Sequence, residues 1–210
     1  MKTLVVAGGN PTNWPELAEF ERYVGIDRGA LYLLEQGLPL NVAVGDFDSL
    51  NEAERHRVFQ AAEEVQQSHP EKDDTDTQLG LMAVFREDPS AEVTLIGGTG
   101  GRLDHFLANL WLGLEPRFQP FLRQIRLVDR QNVLTYYGPG SYEIQREAGM
   151  KYLAYCCLTP VKDLTLVESK YLLDKQQVLV PTSFASNEFV TETAGFSFTA
   201  GVVAVVQSRD

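Results

Sequence analysis

Short apolar runs alternate with helically spaced stretches through the first half of the chain. Apolar runs bounded by glycine or aspartate predict buried strands at residues 4–7, 23–26, 42–44 and 93–96. The spacing of apolar positions predicts helices at residues 30–36, 52–67, 77–85 and 103–114. In the last helix one apolar face carries Leu103, Phe106, Leu107, Leu110 and Leu114. Alternating strands and helices predict a Rossmann-like α/β domain with a parallel sheet.

After about residue 120 the pattern changes to strands alone. Runs at residues 125–128 and 133–137 precede a break at Gly138-Pro139-Gly140. Further strands are predicted at residues 151–159, 164–168, 178–181, 189–193 and 202–206. Short, closely spaced strands with polar turns are typical of a small antiparallel sandwich. We therefore predict an α/β domain over residues 1–137 and an all-β sandwich domain over residues 138–210.

Composition narrows the class of protein. The net charge of −11 and the pI near 4.7 argue against a nucleic-acid backbone as the main partner. No apolar run approaches the ~20 residues that span a bilayer, and the N-terminus is typical of a strand and turn rather than a signal peptide. Cys156 and Cys157 are adjacent, so they would face opposite sides of a strand as free thiols. Free thiols indicate a reducing cytoplasm.

Two acidic segments are candidates for binding a cation: Gly45-Asp46-Phe47-Asp48-Ser49 and Lys72-Asp73-Asp74-Thr75-Asp76. In extended backbone, residues two apart face the same way, so Asp46 and Asp48 could share an ion. Like charges repel unless a cation lies among them, and magnesium accompanying a nucleotide phosphate is the natural cation. Capping boxes starting at Ser49 or Thr75 are the alternative, and they leave Asp46 unexplained.

A third segment, Gly97-Gly98-Thr99-Gly100-Gly101, connects a predicted strand to a predicted helix. Glycines let backbone amides approach an anion, and a helix N-terminus favours negative charge. The segment matches neither the dinucleotide-binding glycine pattern nor a Walker loop. Arg102 follows as a candidate phosphate ligand, with Asp104 and His105 in the first helical turn. With three histidines and no Cys/His spacing pattern, a zinc site is not expected.

In this order the segments resemble the thiamin pyrophosphokinase family. The resemblance rests on Ile26-Asp27-Arg28-Gly29-Ala30, on both acidic segments together with Glu71, on Gly100-Gly101-Arg102-Leu103-Asp104-His105 and on Phe184-Ala185-Ser186-Asn187-Glu188-Phe189. It covers nearly the whole chain, including the change from α/β to all-β. The Gly-Asp-Phe-Asp-Ser and Lys-Asp-x-Thr-Asp pair is specific, whereas Ser-Asn-Glu alone would be weak.

The resemblance implies transfer of pyrophosphate from ATP to the hydroxyethyl group of thiamin, with Mg²⁺ as cofactor. It implies that residues 1–137 bind ATP and magnesium and that residues 138–210 bind thiamin. The implied magnesium ligands are Asp46, Asp48, Asp73 and Asp76, which are also catalytic together with Arg102 and Asp104. The implied ATP site comprises Gly8, Gly9, Asp27, Gly100, Gly101, Arg102 and His105. Thiamin would contact Asp76, Asp104, Ser186 and Asn187, with the last two serving the partner subunit of a homodimer.

Three points stay open at this stage. The proton acceptor could be Asp76 or Asp104, since a carboxylate held by metal is a poor base. Arg28 stands where relatives carry a small residue, and the sequence does not identify the aromatic residue that stacks on thiamin. One alternative is a magnesium-dependent phosphatase with an Asp-x-Asp site, but its nucleophile should follow the first strand, where Gly8-Gly9 stands. Another alternative is a non-catalytic thiamin or nucleotide binder, which the full set of acids opposes.

Overall fold

The computed structural model describes residues 1–69 and 73–210, and its internal packing separates two units. The first unit comprises Met1–Leu110 and Leu127–Arg130, and the second comprises Trp111–Arg126 and Gln131–Asp210. The domain boundary between residues 137 and 138 stays a prediction. Among the described residues, no helix is both long and apolar enough to cross a membrane.

Parallel strands alternate with helices in the first unit. The strands are β1 (Lys2–Val6), β2 (Arg22–Ile26), β3 (Val42–Gly45), β4 (Glu64–Gln67) and β5 (Glu92–Ile96). The helices are α1 (Arg28–Glu35), α2 (Glu52–Ala61), α3 (Asp76–Glu87) and α4 (Leu103–Trp111), with a short 3-10 helix at Pro11–Asn13. All neighbouring strands pair in parallel, in the order β5-β1-β2-β3-β4. The prediction of a Rossmann-like α/β fold is confirmed.

The helix predicted over residues 52–67 is too long, because it merges a helix with a strand. Helix α2 ends at Ala61, and Ala62 adopts an extended backbone with ψ 136°. The next residues form β4, whose Val65 packs against the apolar core of this unit. An edge strand satisfies the free hydrogen-bonding side of β3, which is a tertiary effect that helical spacing does not report.

Helix α4 is apolar in sequence but buries little of its own surface. It ends at Trp111, and residues Leu112–Leu114 continue as a 3-10 helix rather than as the predicted α-helix. Asn109 is the one buried residue of α4, whereas Leu103 at its start is 70% exposed. The predicted apolar face is therefore only partly buried, with Phe106, Leu107 and Leu110 half-buried.

The second unit contains antiparallel strands and the 3-10 helices Leu112–Leu114 and Gln119–Gln124. β6 (Ile125–Val128) spans the division between the units, and β7 (Asn132–Tyr137) follows. The remaining strands are β8 (Gly140–Gln145), β9 (Tyr152–Cys157), β10 (Val161–Val167), β11 (Leu173–Val178), β12 (Thr182–Glu188), β13 (Thr193–Phe198) and β14 (Val203–Ser208). Within this unit, β12-β9-β14-β7 are consecutive neighbours in one sheet, and β11-β10-β13-β8 form a second, four-stranded sheet. A shared core of residues such as Leu153, Leu164 and Phe196 joins both sheets, which confirms the predicted sandwich.

Two predicted strands of this unit are wrong. Residues 178–181 and 189–193 were chosen for their apolar side chains, but they lie mostly in the turns on either side of β12. Leu179, Val180 and Val190 are 80%, 64% and 60% exposed. The true strands β11 and β12 are mostly polar and exposed, so their sequences lack the apolar run on which the prediction depended.

Tyr155 of β9 offers a test of how this core is stabilised. The ring is fully buried, and its hydroxyl has no hydrogen-bond partner in the described part of the chain. Burial also raises the pKa of this hydroxyl, so it stays neutral.

We expect Tyr155→Phe to raise the free energy of unfolding by about 1 kcal/mol, because a buried polar group without a partner is destabilising. Tyr155→Ala should lower it by about 3–5 kcal/mol, because the ring fills the core. Urea denaturation of both variants measures the two effects. A loss of stability in Tyr155→Phe would mean that the hydroxyl is hydrogen-bonded in solution.

Candidate active site

Asp27 lies in the turn between β2 and α1 and has an unusual backbone conformation. Its φ of 47° and ψ of −119° are rare outside glycine. Although it precedes α1, its side chain makes no capping hydrogen bond to that helix. Instead, Oδ1 accepts a hydrogen bond of 3.1 Å from the backbone N–H of Phe47. The strained turn thus directs the carboxylate towards the segment that follows β3.

The segment after β3 is held by one buried aromatic residue. Phe47 is fully buried and packs edge-on against Phe59, with ring centroids 5.1 Å apart. Its φ of 57° breaks the extended conformation that would place Asp46 and Asp48 on one side. Asp46 is half-buried and Asp48 is exposed. Asp46 Oδ1 accepts a 3.1 Å hydrogen bond from the N–H of Asp48. The extended backbone on which the expectation of a shared ion depended is absent, and the role of Asp48 as a ligand stays a prediction.

Gly45 makes the close approach of these two turns possible. A Cβ atom added there would lie 2.0 Å from Oδ1 of Asp27, and its φ is +145°. Any other residue would therefore displace the carboxylate of Asp27. Arg28 lies beside the same segment, where it contacts the carbonyl of Ser49 and forms an ion pair of 3.6 Å with Glu54. Arg28, which replaces the small residue expected from the family resemblance, therefore contacts the loop after β3.

Both helices near the acidic segments do have capping boxes, one of them shifted from the predicted position. The N-cap of α2 is Asn51, paired with Glu54, rather than Ser49. The N-cap of α3 is Thr75, paired with Gln78 as predicted. Asp76 is the first residue of α3, and its Oδ1 accepts a 2.9 Å hydrogen bond from Ser68. Capping therefore explains Thr75 and leaves the carboxylate of Asp76 facing other acids.

The structure brings together Asp27, Asp46 and Asp76. Each offers a carboxylate oxygen, and these oxygens all lie within 4.8 Å of one another. Burial, reinforced by the charges of Asp76 and Asp46, raises the pKa of Asp27 from 3.8 to about 7. We call these three residues the aspartate cluster. Three half-buried carboxylates this close suit a divalent cation, which removes their mutual repulsion.

The predicted magnesium ligands overlap only partly with the aspartate cluster. Asp46 and Asp76 belong to it, and Asp27 joins them from a sequence position that was assigned to the nucleotide. Asp48 and Asp73 are exposed and are not among its members. Glu71 and Lys72 lie outside the described residues. Asp27 joins the cluster because its turn packs closely against Gly45, a contact that the sequence does not reveal.

The glycine loop (residues 97–101) connects β5 to α4. Gly97 and Gly100 have positive φ values of 68° and 74°. The N–H of Gly9 donates to the carbonyl of Gly97 at 3.0 Å, and a Cβ atom on Gly9 would lie 2.4 Å from that oxygen. Gly8 beside it is exposed. The two glycine segments thus lie against each other, as the assignment of both to one ligand requires.

Arg102, Asp104 and His105 follow the glycine loop on the exposed start of α4. Arg102 binds Asp104 through two hydrogen bonds, with Nη2 2.6 Å from Oδ2 and Nε 3.2 Å from Oδ1. These bonds from Arg102 lower the pKa of Asp104. An arginine paired this way can exchange its carboxylate for a phosphate of similar geometry.

In the second unit, Ser186 and Asn187 have different environments. Ser186 is exposed, with a φ of 60°, at an irregularity of β12 between Phe184 and Asn187. Asn187 is only 3% exposed. Its Oδ1 accepts from the N–H groups of Tyr171 and Glu188 at 2.8 and 2.9 Å, and its Nδ2 donates to Tyr171 O and Ser169 Oγ at 2.8 and 3.2 Å. Asn187 therefore shapes the segment at Tyr171, which the sequence analysis did not select and which is 58% exposed.

The raised pKa of Asp27 predicts a pH-dependent stability in the metal-free protein. Ionising Asp27 opposes folding, so the contribution of Asp27 to stability should be most favourable below pH 4 and fall as the pH rises towards about 7. Asp27→Asn should therefore stabilise the protein by about 1–2 kcal/mol at pH 8, allowing for partial solvent screening, and by almost nothing at pH 4. Asparagine tolerates positive φ, which keeps the turn intact.

Urea denaturation in the presence of a chelator at both pH values measures this effect. The exposed Asp48→Asn serves as the matched control and should change stability equally at both pH values. The same stabilisation by Asp27→Asn at pH 4 and pH 8 would contradict the raised pKa.

Comparison with known proteins agrees with this geometry. Residues 16–123 match the family described as thiamin pyrophosphokinase, catalytic domain, and residues 141–203 match thiamin pyrophosphokinase, vitamin B1 binding domain. The chain is 33% identical to the thiamine pyrophosphokinase of Bacillus subtilis (strain 168), covering 100% of both proteins.

Solved structures give the same result. A thiamin pyrophosphokinase family protein from Enterococcus faecalis is 59% identical, with a TM-score of 0.98 and 100% of both chains covered. The Bacillus subtilis thiamine pyrophosphokinase structure is 32% identical, with a TM-score of 0.87 and 100% of both chains covered. These matches support neither the phosphatase nor the non-catalytic alternative. The chain therefore belongs to the thiamin pyrophosphokinase family of enzymes.

Proposed function

We propose that this chain transfers the pyrophosphoryl group of ATP to the hydroxyethyl oxygen of thiamin, giving thiamin diphosphate and AMP. The observation that carries the proposal is the aspartate cluster, which lies in the unit that matches the family's catalytic domain. The second unit matches the vitamin B1 binding domain, which fits thiamin as the acceptor.

Asp46 and Asp76 would hold Mg²⁺ together with Asp27. The raised pKa of Asp27 supports this, since a carboxyl group that resists ionisation beside other acids is stabilised as the anion by a bound cation. Asp48 and Asp73 flank these residues and stay in the proposed ligand set, together with any waters that the ion retains. When bound, Mg²⁺ would supply positive charge that neutralises the negative charge of the phosphates during transfer.

The remaining residues of the first unit would orient ATP. Gly8, Gly9, Gly100 and Gly101 would present backbone to the phosphates, and Arg102 and His105 would add polar contacts from the start of α4. Arg102 would leave Asp104 to bind the triphosphate. That exchange would return the pKa of Asp104 towards its ordinary value, so Asp104 is a better proton acceptor once ATP is bound. Asp76 is the other candidate for that proton.

Thiamin would lie against the second unit of a partner subunit in a homodimer. Ser186 would contact thiamin directly, whereas Asn187 would act by shaping the segment at Tyr171. The exposed apolar side chains of Leu103, Tyr171 and Leu172 support an assembly, because such groups are often covered by a partner. The two free cysteines fit a cytoplasmic location.

Purified protein should form AMP and thiamin diphosphate from ATP and thiamin only when a divalent cation is present. Asp46→Asn should lower kcat at least about 100-fold, because it removes one charge from the aspartate cluster. Asp174→Asn, an exposed acid in the second unit, is the matched control and should keep full activity. Chelation should abolish turnover without changing the circular dichroism spectrum, whereas loss of a structural metal would unfold the protein. Full activity after chelation would contradict the magnesium proposal.

The shared site predicts recovery of activity in mixed dimers. Ser186→Arg should prevent binding of the cationic thiamin while leaving the fold intact, because Ser186 is exposed. A two-fold dimer formed from Asp46→Asn and Ser186→Arg chains has one intact site and one doubly changed site. Random assembly in equal amounts should therefore recover about a quarter of wild-type activity from two nearly inactive parents.

Differently tagged chains and sequential pull-down would isolate the mixed dimers for assay. If mixed dimers form and remain inactive, each site is built within one chain and the placement of Ser186 is wrong.

A further inference from the structure

The glycine loop contains a single side chain, that of Thr99. Its hydroxyl donates a hydrogen bond of 2.6 Å to Oδ2 of Asp129 and accepts one of 3.4 Å from Nδ2 of Asn13. Asn13 ends the 3-10 helix after β1, and Asp129 follows β6, so three distant parts of the chain meet at this hydroxyl.

Asp129 is a buried carboxylate outside the aspartate cluster, with 6% of its surface exposed. A buried carboxylate is unfavourable unless it is hydrogen-bonded, and its bond from a hydroxyl is stronger than one between neutral groups. The neighbouring N–H of Arg130 donates to the carbonyl of Asn13 at 2.9 Å. Thr99, Asn13 and the turn at Asp129 therefore form a closed set of hydrogen bonds within the first unit.

Two backbone carbonyls of the glycine loop accept hydrogen bonds from other parts of the first unit. The carbonyl of Gly97 accepts from Gly9, and the carbonyl of Gly98 accepts a 2.9 Å bond from the buried amide of Asn109. By contrast, no described residue accepts a hydrogen bond from the backbone N–H of Gly98, Thr99, Gly100 or Gly101. Two carbonyls of the loop are thus bound by the protein, and four of its N–H groups are available for an anion.

We propose that Asp129 and Asn13 are positioning residues that fix Thr99 and thereby hold the glycine loop in the shape that binds the triphosphate of ATP. A loop rich in glycine has high conformational freedom, and ordering it on binding weakens affinity. Hydrogen bonds to its one side chain restrict that freedom before the ligand arrives. This inference rests on the proposed function and adds residues that no phosphate-binding pattern in the sequence includes.

The test compares Thr99→Val, which keeps the branched shape and removes the hydroxyl, with Thr99→Ser, which keeps the hydroxyl. Thr99→Val should raise KM for ATP about tenfold, which corresponds to one charge-assisted hydrogen bond, and leave KM for thiamin within about twofold. Thr99→Ser should restore KM for ATP to near the wild-type value. In an Asp129→Ala background, Thr99→Val should add little, because both changes remove the same bond.

Thr3 provides the matched control. It is a fully buried threonine of the same unit, and its hydroxyl has no hydrogen-bond partner among the described residues. Thr3→Val should leave both KM values unchanged. The proposal is overturned if Thr99→Val leaves KM for ATP within about twofold of wild type, or if Thr3→Val raises it equally. If Asp129→Ala does not fold, the Thr99→Val and Thr99→Ser pair still decides.

Failure of the proposed function would be seen separately, as absence of AMP formation by the wild-type protein. In that case calorimetric titration with Mg-ATP measures the loop directly. Binding about tenfold weaker in Thr99→Val than in wild type and Thr99→Ser would support the positioning role without turnover. Equal binding by all three proteins would overturn it.

Discussion

Repulsion among Asp27, Asp46 and Asp76 is the interaction on which the first unit depends. The fold must hold three carboxylates within 4.8 Å although each disfavours the charge of the others. Positive φ at Asp27 and a glycine at position 45 let the backbone bring these carboxylates together. The strain of these turns is balanced by ordinary packing of the parallel sheet behind them. Close carboxylates of this kind are compatible with folding and would be stabilised further by the cation that we propose.

Many of the strands within each unit could be predicted from sequence patterns that have a clear physical cause. Buried parallel strands are continuously apolar, so β1, β2, β3 and β5 could be predicted from the sequence. The edge strand β4 and the strands β11 and β12 could not, because exposed strands carry polar residues. Exposed apolar residues in turns, such as Leu179 and Val190, produced false strands instead. Hydrophobicity reports burial, and these residues are exceptions to that rule.

The candidate site was predictable by residue type but not by geometry. Asp46 and Asp76 were selected because their charges had no structural explanation, and the structure places them together. Membership of Asp27 could not be predicted, since it depends on a side chain turning away from the helix that it precedes. The environment of Asn187 was equally inaccessible, because a motif cannot distinguish an amide that binds ligand from one whose hydrogen bonds all lie within the protein.

Phe47 limits which amino-acid substitutions the acidic loop can tolerate. It lies between Asp46 and Asp48 in sequence and is fully buried, so one residue fixes both the apolar core and the spacing of the acidic loop. Its backbone N–H also supplies the hydrogen bond that orients Asp27. A smaller side chain at this position would loosen the core and move two carboxylates at once. Core packing and the geometry of the aspartate cluster are therefore not independent properties here, and a change that improves one is constrained by the other.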